Sequence, residues 1–152
     1  MSSPKPIIVL IPGSFGSVAC YNRMKPFLKG YEFVDVALPS ADPEDALSVT
    51  CQKDISHVRD VYMQPLMDQG KDVVVVAHSY GGVVSACCKG LDRVARASQG
   101  QKGGVIGLIL IAANIVLENE SVGTAFAKLT GAPEFEIPFW IKIDNVGSHQ
   151  SS

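Results

Sequence analysis

The stretch VVVVAHSYGGVV, from Val73 to Val84, decides the fold of this chain. Four consecutive valines run into a small residue, a histidine, a serine and two glycines. An unbroken apolar run, unlike an alternating one, indicates a strand that is covered on both faces, as in parallel sheets. The stretch therefore predicts a buried strand over Val73–Ala77, a tight turn, and a helix from Gly82 to about Ser98.

Short apolar runs alternate with amphipathic segments along the rest of the chain, which is typical of strands and helices that alternate around a parallel sheet. Three further strands are predicted, at Pro6–Ile11, Glu32–Leu38 and Val105–Ala112. Further helices are predicted at Val18–Leu28, Asp42–Gly70 and Ser121–Leu129. The longest helix has Asp42 as its expected N-cap and Pro43 at its first position. Pro65 is expected to kink or split it.

Size and composition indicate a single domain over residues 1–152. The chain is 47% hydrophobic and only 18% charged, so it carries enough apolar material to bury a core. Thirteen basic and 15 acidic residues leave a net charge of -2. This balance gives no electrostatic footprint for nucleic acid or for an anionic membrane surface, and neither partner is expected.

The compartment is predicted to be reducing, and the protein cytoplasmic. The apolar run before Pro12 is too short for a secretory signal, and the longest one, Val105–Leu117, is shorter than the roughly 20 residues that span a bilayer. The four cysteines have neither the paired spacing of a zinc site nor a dense disulfide pattern. Cys87 and Cys88 are interpreted as small buried hydrophobic residues on a helix.

The turn after the valine run is the predicted chemical centre. A parallel strand followed at once by a turn and a helix places the turn at the carboxyl end of the sheet, where open α/β folds bind ligands. Ser79 occupies that turn, and its neighbours two positions away, Ala77 and Gly81, are small enough for a sharp corner. The buried strand therefore presents Ser79 as an exposed nucleophile, next to a helix N-terminus that favours negative charge.

These residues resemble the nucleophile elbow of the α/β-hydrolase family, G-x-S-x-G, with Ala77 in place of the first glycine. The segment VLIPGSFGS, Val9 to Ser17, resembles the oxyanion loop of that family, with a proline where histidine is common. The match implies that the backbone N–H groups of Ser14 and Tyr80 form the oxyanion hole. Gly13, Gly81 and Gly82 would support the corner sterically.

The resemblance extends from about Pro6 to Trp140 and is strongest to the compact esterase branch that includes plant methylesterases and hydroxynitrile lyases. It implies a three-layer α/β-hydrolase fold with four core strands in the order 2-1-3-4, and hydrolysis of an ester or thioester without cofactor or metal. Residues Leu117–Trp140 would form part of a cap. Its aromatic side chains could line the pocket or be ordinary core; they are Phe126, Phe135, Phe139 and Trp140.

The chain departs from the family in its triad. The family order is serine, then acid, then histidine, yet only 73 residues follow Ser79, with one predicted strand among them. The later strands and the triad loops are therefore expected to be absent from this sequence. His78 stands at a variable position of the elbow, with its ring expected to point away from the reactive side of Ser79, and His57 lies upstream on a helix.

Other candidates for the acid and base are weak. Asp144 and His149 are in the right order, but they are too close in sequence for two separate loops. Asn114, Glu118 and Glu120 follow the last strand and are interpreted as solvated residues at the entry to the cap. Without a base, two alternatives remain open: a catalytically silent relative that binds a small apolar ligand or a protein, and a fragment of a longer esterase.

Two further expectations concern partners. The segment GSFGS lacks the third glycine of a dinucleotide-binding loop and the lysine of a P-loop, so nucleotide binding is not expected. A small-molecule ester or another apolar ligand is expected instead. If the last strand has no neighbour on its other side, residues 105–112 form an exposed apolar edge, which predicts self-association through this strand.

Overall fold

The computed structural model describes residues 4–14, 16–41, 49–118 and 120–131. The chain divides into two compact units, residues 1–114 and 115–152. The first unit contains every strand of the described residues. In the described ranges, no helix is both long and apolar enough to cross a bilayer.

The first unit is built on a sheet of four parallel strands. They are β1 (Ile7–Ile11), β2 (Phe33–Asp35), β3 (Asp72–His78) and β4 (Gly104–Ile111). Their spatial order is β2-β1-β3-β4, which confirms the predicted order 2-1-3-4 and the predicted fold class. Val75 pairs with Val9 on one side and with Leu108 on the other, so β3 is central.

The core lies around the two central strands. All five residues of β1 are buried, and alternate residues of β3 are buried: Val73, Val75 and Ala77 are 0% exposed. In β4, however, the expectation of cover on both faces is wrong, because only Gly104 is buried. Its exposed side chains are Ile106, Leu108, Ile109, Leu110 and Ile111. The pairing of β4 shifts register beside Val73, where Ile106 is the extra residue of a bulge.

The second strand is shorter than its sequence predicts. Val36 N–H still donates to the carbonyl of Leu10 at 3.1 Å, but beyond it two backbone donors turn to side chains: Ala37 N–H donates to the hydroxyl of Tyr62 at 3.1 Å, and Ser40 N–H donates to Asp54 Oδ1 at 3.0 Å. Since each residue has one N–H donor, these bonds replace the ladder that would extend the strand.

The helices differ from the predicted ones where proline or glycine intervenes. Val18–Leu28 is not one helix but two 3₁₀ turns, Val18–Tyr21 and Lys25–Phe27. The reason is Pro26, which lacks the N–H that a continuous helix would donate to the carbonyl of Asn22, four residues earlier. Likewise, the predicted helix Gly82–Ser98 is broken at Gly90, which has a left-handed φ of +72°.

That broken helix consists of α3 (Gly81–Val84), a 3₁₀ turn (Ser85–Cys88) and α4 (Arg93–Ser98). Asp92 caps α4 by accepting a hydrogen bond from the N–H of Ala95 at 2.8 Å. Cys87 is buried as expected, whereas Cys88 is only half-buried.

A longer helical stretch precedes β3. It runs through α1 (Cys51–His57), a π-helical segment (Val58–Met63) and α2 (Gln64–Asp68). The stretch continues past Pro65, and the wider π-helical segment ends two residues before this proline, at Met63. Thr50 caps α1 by accepting from the N–H of Lys53 at 3.2 Å. The predicted cap at Asp42 and Pro43 lies outside the described residues.

A buried arginine ties together the segments at the amino end of the sheet. Arg96 is 7% exposed and donates hydrogen bonds to the carbonyls of Met67, Lys102 and Gly103. A cavity of about 440 Å³ lies there, lined in part by Met67 and Arg96. This cavity is at the far end of β3 from Ser79, so it does not belong to the predicted chemical centre.

In the second unit the described residues form α5 (Val122–Thr130), which confirms the predicted helix at Ser121–Leu129 within a residue. Ser121 caps it by accepting from the N–H of Thr124 at 3.0 Å, and Gly131 ends it with a φ of +71°. Phe126 is 46% exposed. The three other aromatic residues assigned to the cap, Phe135, Phe139 and Trp140, lie outside the described residues.

Candidate functional site

Ser79 lies in the turn between β3 and α3, at the carboxyl end of the sheet. Its backbone has a φ of +52°. A non-glycine residue in the left-handed region is uncommon, and such strain, of order 1–3 kcal/mol, gathers at functional sites. The side chain is partly exposed. The serine therefore stands at a strained corner, as the valine run and its glycines predict.

The two glycines after the corner are required by their surroundings. A β-carbon added to Gly81 would lie 2.6 Å from the carbonyl oxygen of Ile11 and 2.8 Å from that of Pro12. One added to Gly82 would lie 2.4 Å from the carbonyl oxygen of Asn114. These separations are too short for a real carbon, so α3 begins against backbone on two sides. Ala77 is 0% exposed, so the position before the turn also has no room for bulk.

The loop after β1 passes directly beside Ser79. A β-carbon on Gly13 would lie 3.1 Å from Cβ of Ser79 and 3.3 Å from Nδ1 of His78. The loop turns back through a hydrogen bond from Gly16 N–H to the carbonyl of Gly13 at 3.2 Å, with Ser14 exposed in the turn. Among the described residues, neither the N–H of Ser14 nor that of Tyr80 has a protein acceptor.

The end of β4 supports the corner from the opposite side. Ser79 N–H donates to the carbonyl of Ile111 at 3.2 Å, and the carbonyl of Ser79 accepts from Asn114 N–H at 2.9 Å. Ala112, between these partners, has a φ of +42°. Ser79 and Ala112 are the two non-glycine residues with positive φ in the described ranges, and both follow parallel strands at the same edge. Asn114 thus braces the corner through its backbone.

Neither histidine of the described residues, His57 or His78, hydrogen-bonds to the Ser79 hydroxyl. His78 Nδ1 is 2.8 Å from the hydroxyl of Tyr21, and the two rings meet edge to face with centroids 5.9 Å apart. Burial, and then the neighbouring Cys20, raises the pKa of the Tyr21 phenol. His57 lies on α1 with its ring against Tyr62, at a centroid distance of 5.7 Å. Asp144 and His149 lie outside the described residues.

The helix that follows the corner is shorter than predicted. α3 comprises only Gly81–Val84 before the 3₁₀ turn. The helix nevertheless begins directly after the corner, at the place where the sequence interpretation puts its N-terminus. Of the residues after β4, Asn114 and Glu118 are exposed, and Glu120 accepts hydrogen bonds from Lys128 Nζ and Leu117 N–H.

A buried carboxylate that the sequence interpretation missed lies behind the corner. Asp54 on α1 is 0% exposed, and its Oδ2 accepts a hydrogen bond from the hydroxyl of Tyr80 at 2.8 Å. Burial, and then Cys51 and Asp54, raises the pKa of the Tyr80 phenol. In the sequence, the only sign of this contact is that Asp54 shares a helix face with the apolar Val58. A solvated aspartate has the same signature, so the pattern alone does not reveal this contact.

Comparison of the amino-acid sequence with known proteins identifies a family and two relatives. The family model described as "Alpha/beta hydrolase family" matches residues 8–147. The chain is 29% identical over 135 residues to "Probable hydrolase R7" from a Phoma species, covering 88% of this chain and 52% of that protein. It is 31% identical over 121 residues to "Alpha/beta hydrolase nvfD" from Aspergillus novofumigatus, covering 78% and 47%. The chain thus spans about half the length of these relatives.

Solved structures share the fold at low identity. An extracellular α/β-hydrolase from a Paenibacillus species superposes with a TM-score of 0.55 at 19% identity, over 74% of this chain and 43% of that one. Tomato methylketone synthase I, solved with 2-tridecanone, superposes with a TM-score of 0.58 at 16% identity, over 84% and 47%. These two likenesses show a shared fold, and the family match over residues 8–147 shows the family. The chain belongs to the alpha/beta hydrolase family.

Proposed function

We propose that the protein hydrolyses a carboxylic ester or thioester through Ser79. The Ser79 oxygen attacks the carbonyl carbon, and the carbonyl oxygen becomes an alkoxide held by the N–H groups of Ser14 and Tyr80. The alcohol or thiol then leaves with the proton that the Ser79 hydroxyl gives up, and water attacks the acyl-serine, which restores the hydroxyl and releases the acid. Losing one oxyanion donor in such a site costs about 3 to 4 kcal/mol of transition-state stabilisation.

One observation carries this proposal: a strained serine, with φ of +52°, stands beside the loop after β1, 3.1 Å from the position of a β-carbon on Gly13. A structural serine has no need of a left-handed backbone, because glycine adopts that conformation without strain. The N–H groups of Ser14 and Tyr80, which have no acceptor among the described residues, supply hydrogen-bond donors near the corner. Strain plus adjacent donors is the arrangement that acyl transfer uses.

The chemistry also needs a base, since a serine hydroxyl is a weak nucleophile at neutral pH. In the described ranges, neither His57 nor His78 hydrogen-bonds to Ser79. An oxyanion hole and substrate binding alone retain roughly 10³-fold catalysis over water. We therefore expect slow acyl transfer from these residues by themselves.

The test is covalent labelling. Purified protein is treated with a fluorophosphonate probe, and hydrolysis of p-nitrophenyl acetate is followed with Ser79→Ala as the control. The proposal predicts labelling and turnover that both disappear in the variant. Labelling that persists in Ser79→Ala, or parent protein without labelling or turnover, would reject it.

A second candidate is a catalytically silent relative that binds a small apolar ligand or a protein. The favouring observation is that, in the described ranges, neither His57 nor His78 hydrogen-bonds to Ser79, so these residues supply the serine with no base. This candidate predicts that Ser79→Ala binds an apolar fluorescent probe as tightly as the parent while the parent shows no turnover. Turnover that depends on Ser79 would exclude it.

We further propose that the protein acts in the cytoplasm. All four cysteines, Cys20, Cys51, Cys87 and Cys88, are free thiols, although Cys87 and Cys88 have sulfur atoms 3.9 Å apart. Free thiols persist in reducing compartments. A fluorescent fusion of the full-length protein in the source cells tests this, and accumulation in the medium or in a secretory compartment would contradict it.

A further inference from the structure

We propose that Asp54 is a positioning residue for the corner at Ser79, acting through the side chain of Tyr80. This inference rests on the proposed hydrolase function, because the group being positioned is the N–H of Tyr80 together with the neighbouring hydroxyl. Asp54 touches neither the substrate nor Ser79. Its role is to hold the residue that follows the nucleophile.

Both oxygens of the Asp54 carboxylate accept hydrogen bonds. Oδ2 accepts from the Tyr80 hydroxyl at 2.8 Å, and Oδ1 accepts from the backbone N–H of Ser40 at 3.0 Å. The side chain is 0% exposed, on the same helix face as Val58. A buried carboxylate is tolerated only when hydrogen bonds replace its lost water. These two bonds therefore fix where the carboxylate lies.

The two partners connect Asp54 to the functional edge of the sheet. Ser40 lies in the loop that follows β2, and Tyr80 lies in the turn that follows β3. Both segments come after the carboxyl ends of parallel strands, and α1 carries the carboxylate between them. One side chain thus joins the loop after β2, α1 and the corner.

Tyr80 transmits this constraint to the corner. Its ring packs against the hydrophobic core, so the hydroxyl, the ring and the backbone of Tyr80 are held at three points. The backbone on either side is also bonded: Gly82 N–H donates to Ser79 O at 3.0 Å, and Val83 N–H donates to Tyr80 O at 2.9 Å. A strained residue such as Ser79 persists only where its surroundings over-determine it. The bond between Asp54 and Tyr80 is one of these determinants.

A purely structural role for Asp54 makes a different prediction from positioning. If the carboxylate only adds stability, its loss lowers the midpoint of unfolding and leaves the folded corner unchanged. If it positions Tyr80, fully folded protein has a looser corner and a slower reaction at Ser79. A displacement of about 1 Å at a reacting group can lower a rate on the order of 100-fold.

The experiment compares four variants with the parent: Asp54→Ala, Tyr80→Phe, their combination and Asp54→Asn. Two quantities are measured in folded protein at low temperature: the second-order rate of fluorophosphonate labelling at Ser79, and hydrogen exchange at the amides of Gly82 and Val83. The amide of Val75, in the central strand, reports global unfolding. Met67→Ala is the control for lost stability, because Met67 is 1% exposed and lies at the other end of the sheet.

Positioning predicts labelling slowed about 10- to 100-fold in Asp54→Ala and in Tyr80→Phe, with exchange at Gly82 and Val83 at least tenfold faster. Exchange at Val75 changes no more than it does in Met67→Ala. The double variant is no slower than the slower single variant, because both remove the same bond. Asp54→Asn regains most of the rate, since its amide oxygen still accepts from Ser40 N–H and its NH₂ group can donate to the Tyr80 hydroxyl, which then acts as the acceptor.

The outcomes separate the two proposals. Parental labelling and parental exchange at Gly82 and Val83 in folded Asp54→Ala overturn positioning and leave the hydrolase function standing. Parent protein that is not labelled at Ser79 rejects the hydrolase function, and the exchange measurement then decides positioning alone. Slowed labelling in Met67→Ala equal to that in Asp54→Ala assigns the effect to stability and also overturns the inference.

Discussion

Ser79 has a left-handed backbone conformation that is sterically unfavourable for a residue with a side chain. With φ at +52°, serine pays a steric penalty that glycine does not. The same penalty applies to alanine, so the usual nucleophile knockout keeps the strain. This gives a way to measure the strain separately from the chemistry.

We expect Ser79→Gly to be more stable than Ser79→Ala by about 1 kcal/mol, because glycine relieves the left-handed backbone and alanine retains it. Both variants lack the hydroxyl and should lose labelling and turnover equally. Chemical denaturation of the two variants at neutral pH makes the comparison. Ser79→Ala as stable as or more stable than Ser79→Gly would mean that the corner stores no strain.

The glycine after Tyr80 provides a second test at this scale. In Gly81→Ala the new carbon would meet the carbonyl oxygens of Ile11 and Pro12 at 2.6 and 2.8 Å, so either β1 or α3 must shift. We expect a loss of about 1–3 kcal/mol in the free energy of unfolding and slower labelling of Ser79.

The matched control is Gly107→Ala in β4. There the new carbon meets only Val74 side-chain atoms at 3.8 Å, an ordinary contact, and φ is not left-handed. Its free energy of unfolding should stay the same or rise by about 0.5 kcal/mol. Equal losses in the two variants would show that close approach at Gly81 is not the cause.

At the scale of elements, β4 is the exposed strand. It pairs only with β3 among the described strands, and both of its faces expose large apolar side chains, including Leu108 at 45% and Ile109 at 51%. A free edge of this kind is a template for pairing with another chain. The bulge at Ile106 twists one end of the edge and leaves the rest regular.

We propose that β4 pairs with a second copy of the chain and expect Leu108→Lys to shift the protein toward monomer, because a charged edge residue opposes pairing. Val61→Lys is the control: Val61 is 52% exposed, on the π-helical segment, and receives the same charge. Light scattering at high concentration gives the measurement. A parent protein that is monomeric there contradicts the proposal.

The strands and helices show which parts of the fold sequence patterns can predict. The apolar runs predict the four strands of the described residues, because burial and β-branching act over several residues at once. The order of these strands in the sheet is implied instead by the resemblance to the family. Helix boundaries depend on single residues instead: Pro26 divides one predicted helix and Gly90 another. The candidate site likewise has a part that the sequence predicts and a part that it does not. Local spacing predicts Ser79 and its glycines, whereas the bond between Asp54 and Tyr80 joins residues 26 apart and leaves no local pattern.

At the scale of the whole molecule, the Tyr80 phenol links stability to alkaline pH. Burial, and then Cys51 and Asp54, raises its pKa above the ordinary value of about 10. Above pH 10 the unfolded chain therefore releases a proton that the folded chain keeps. The free energy of unfolding must fall as pH rises through this region, because the folded state binds more protons than the unfolded state.

We expect Tyr80→Phe to be less stable than the parent at pH 8, since it loses the bond to Asp54, and this deficit to shrink above pH 10. Urea denaturation from pH 8 to 11 measures both effects. Met67→Ala, which has its phenols intact, should keep the parental slope. A deficit that stays constant across this range would show that Tyr80 does not contribute to the alkaline slope.

The backbone of Ser79 is bonded at Ile111 and Asn114, which come well after it in the chain. A ribosome delivers the serine before it delivers those partners. During synthesis, the amide and the carbonyl of Ser79 are therefore both fixed only after the end of β4 has been made. Any premature stop between the two would release a chain that has its nucleophile and lacks the support that holds it in place.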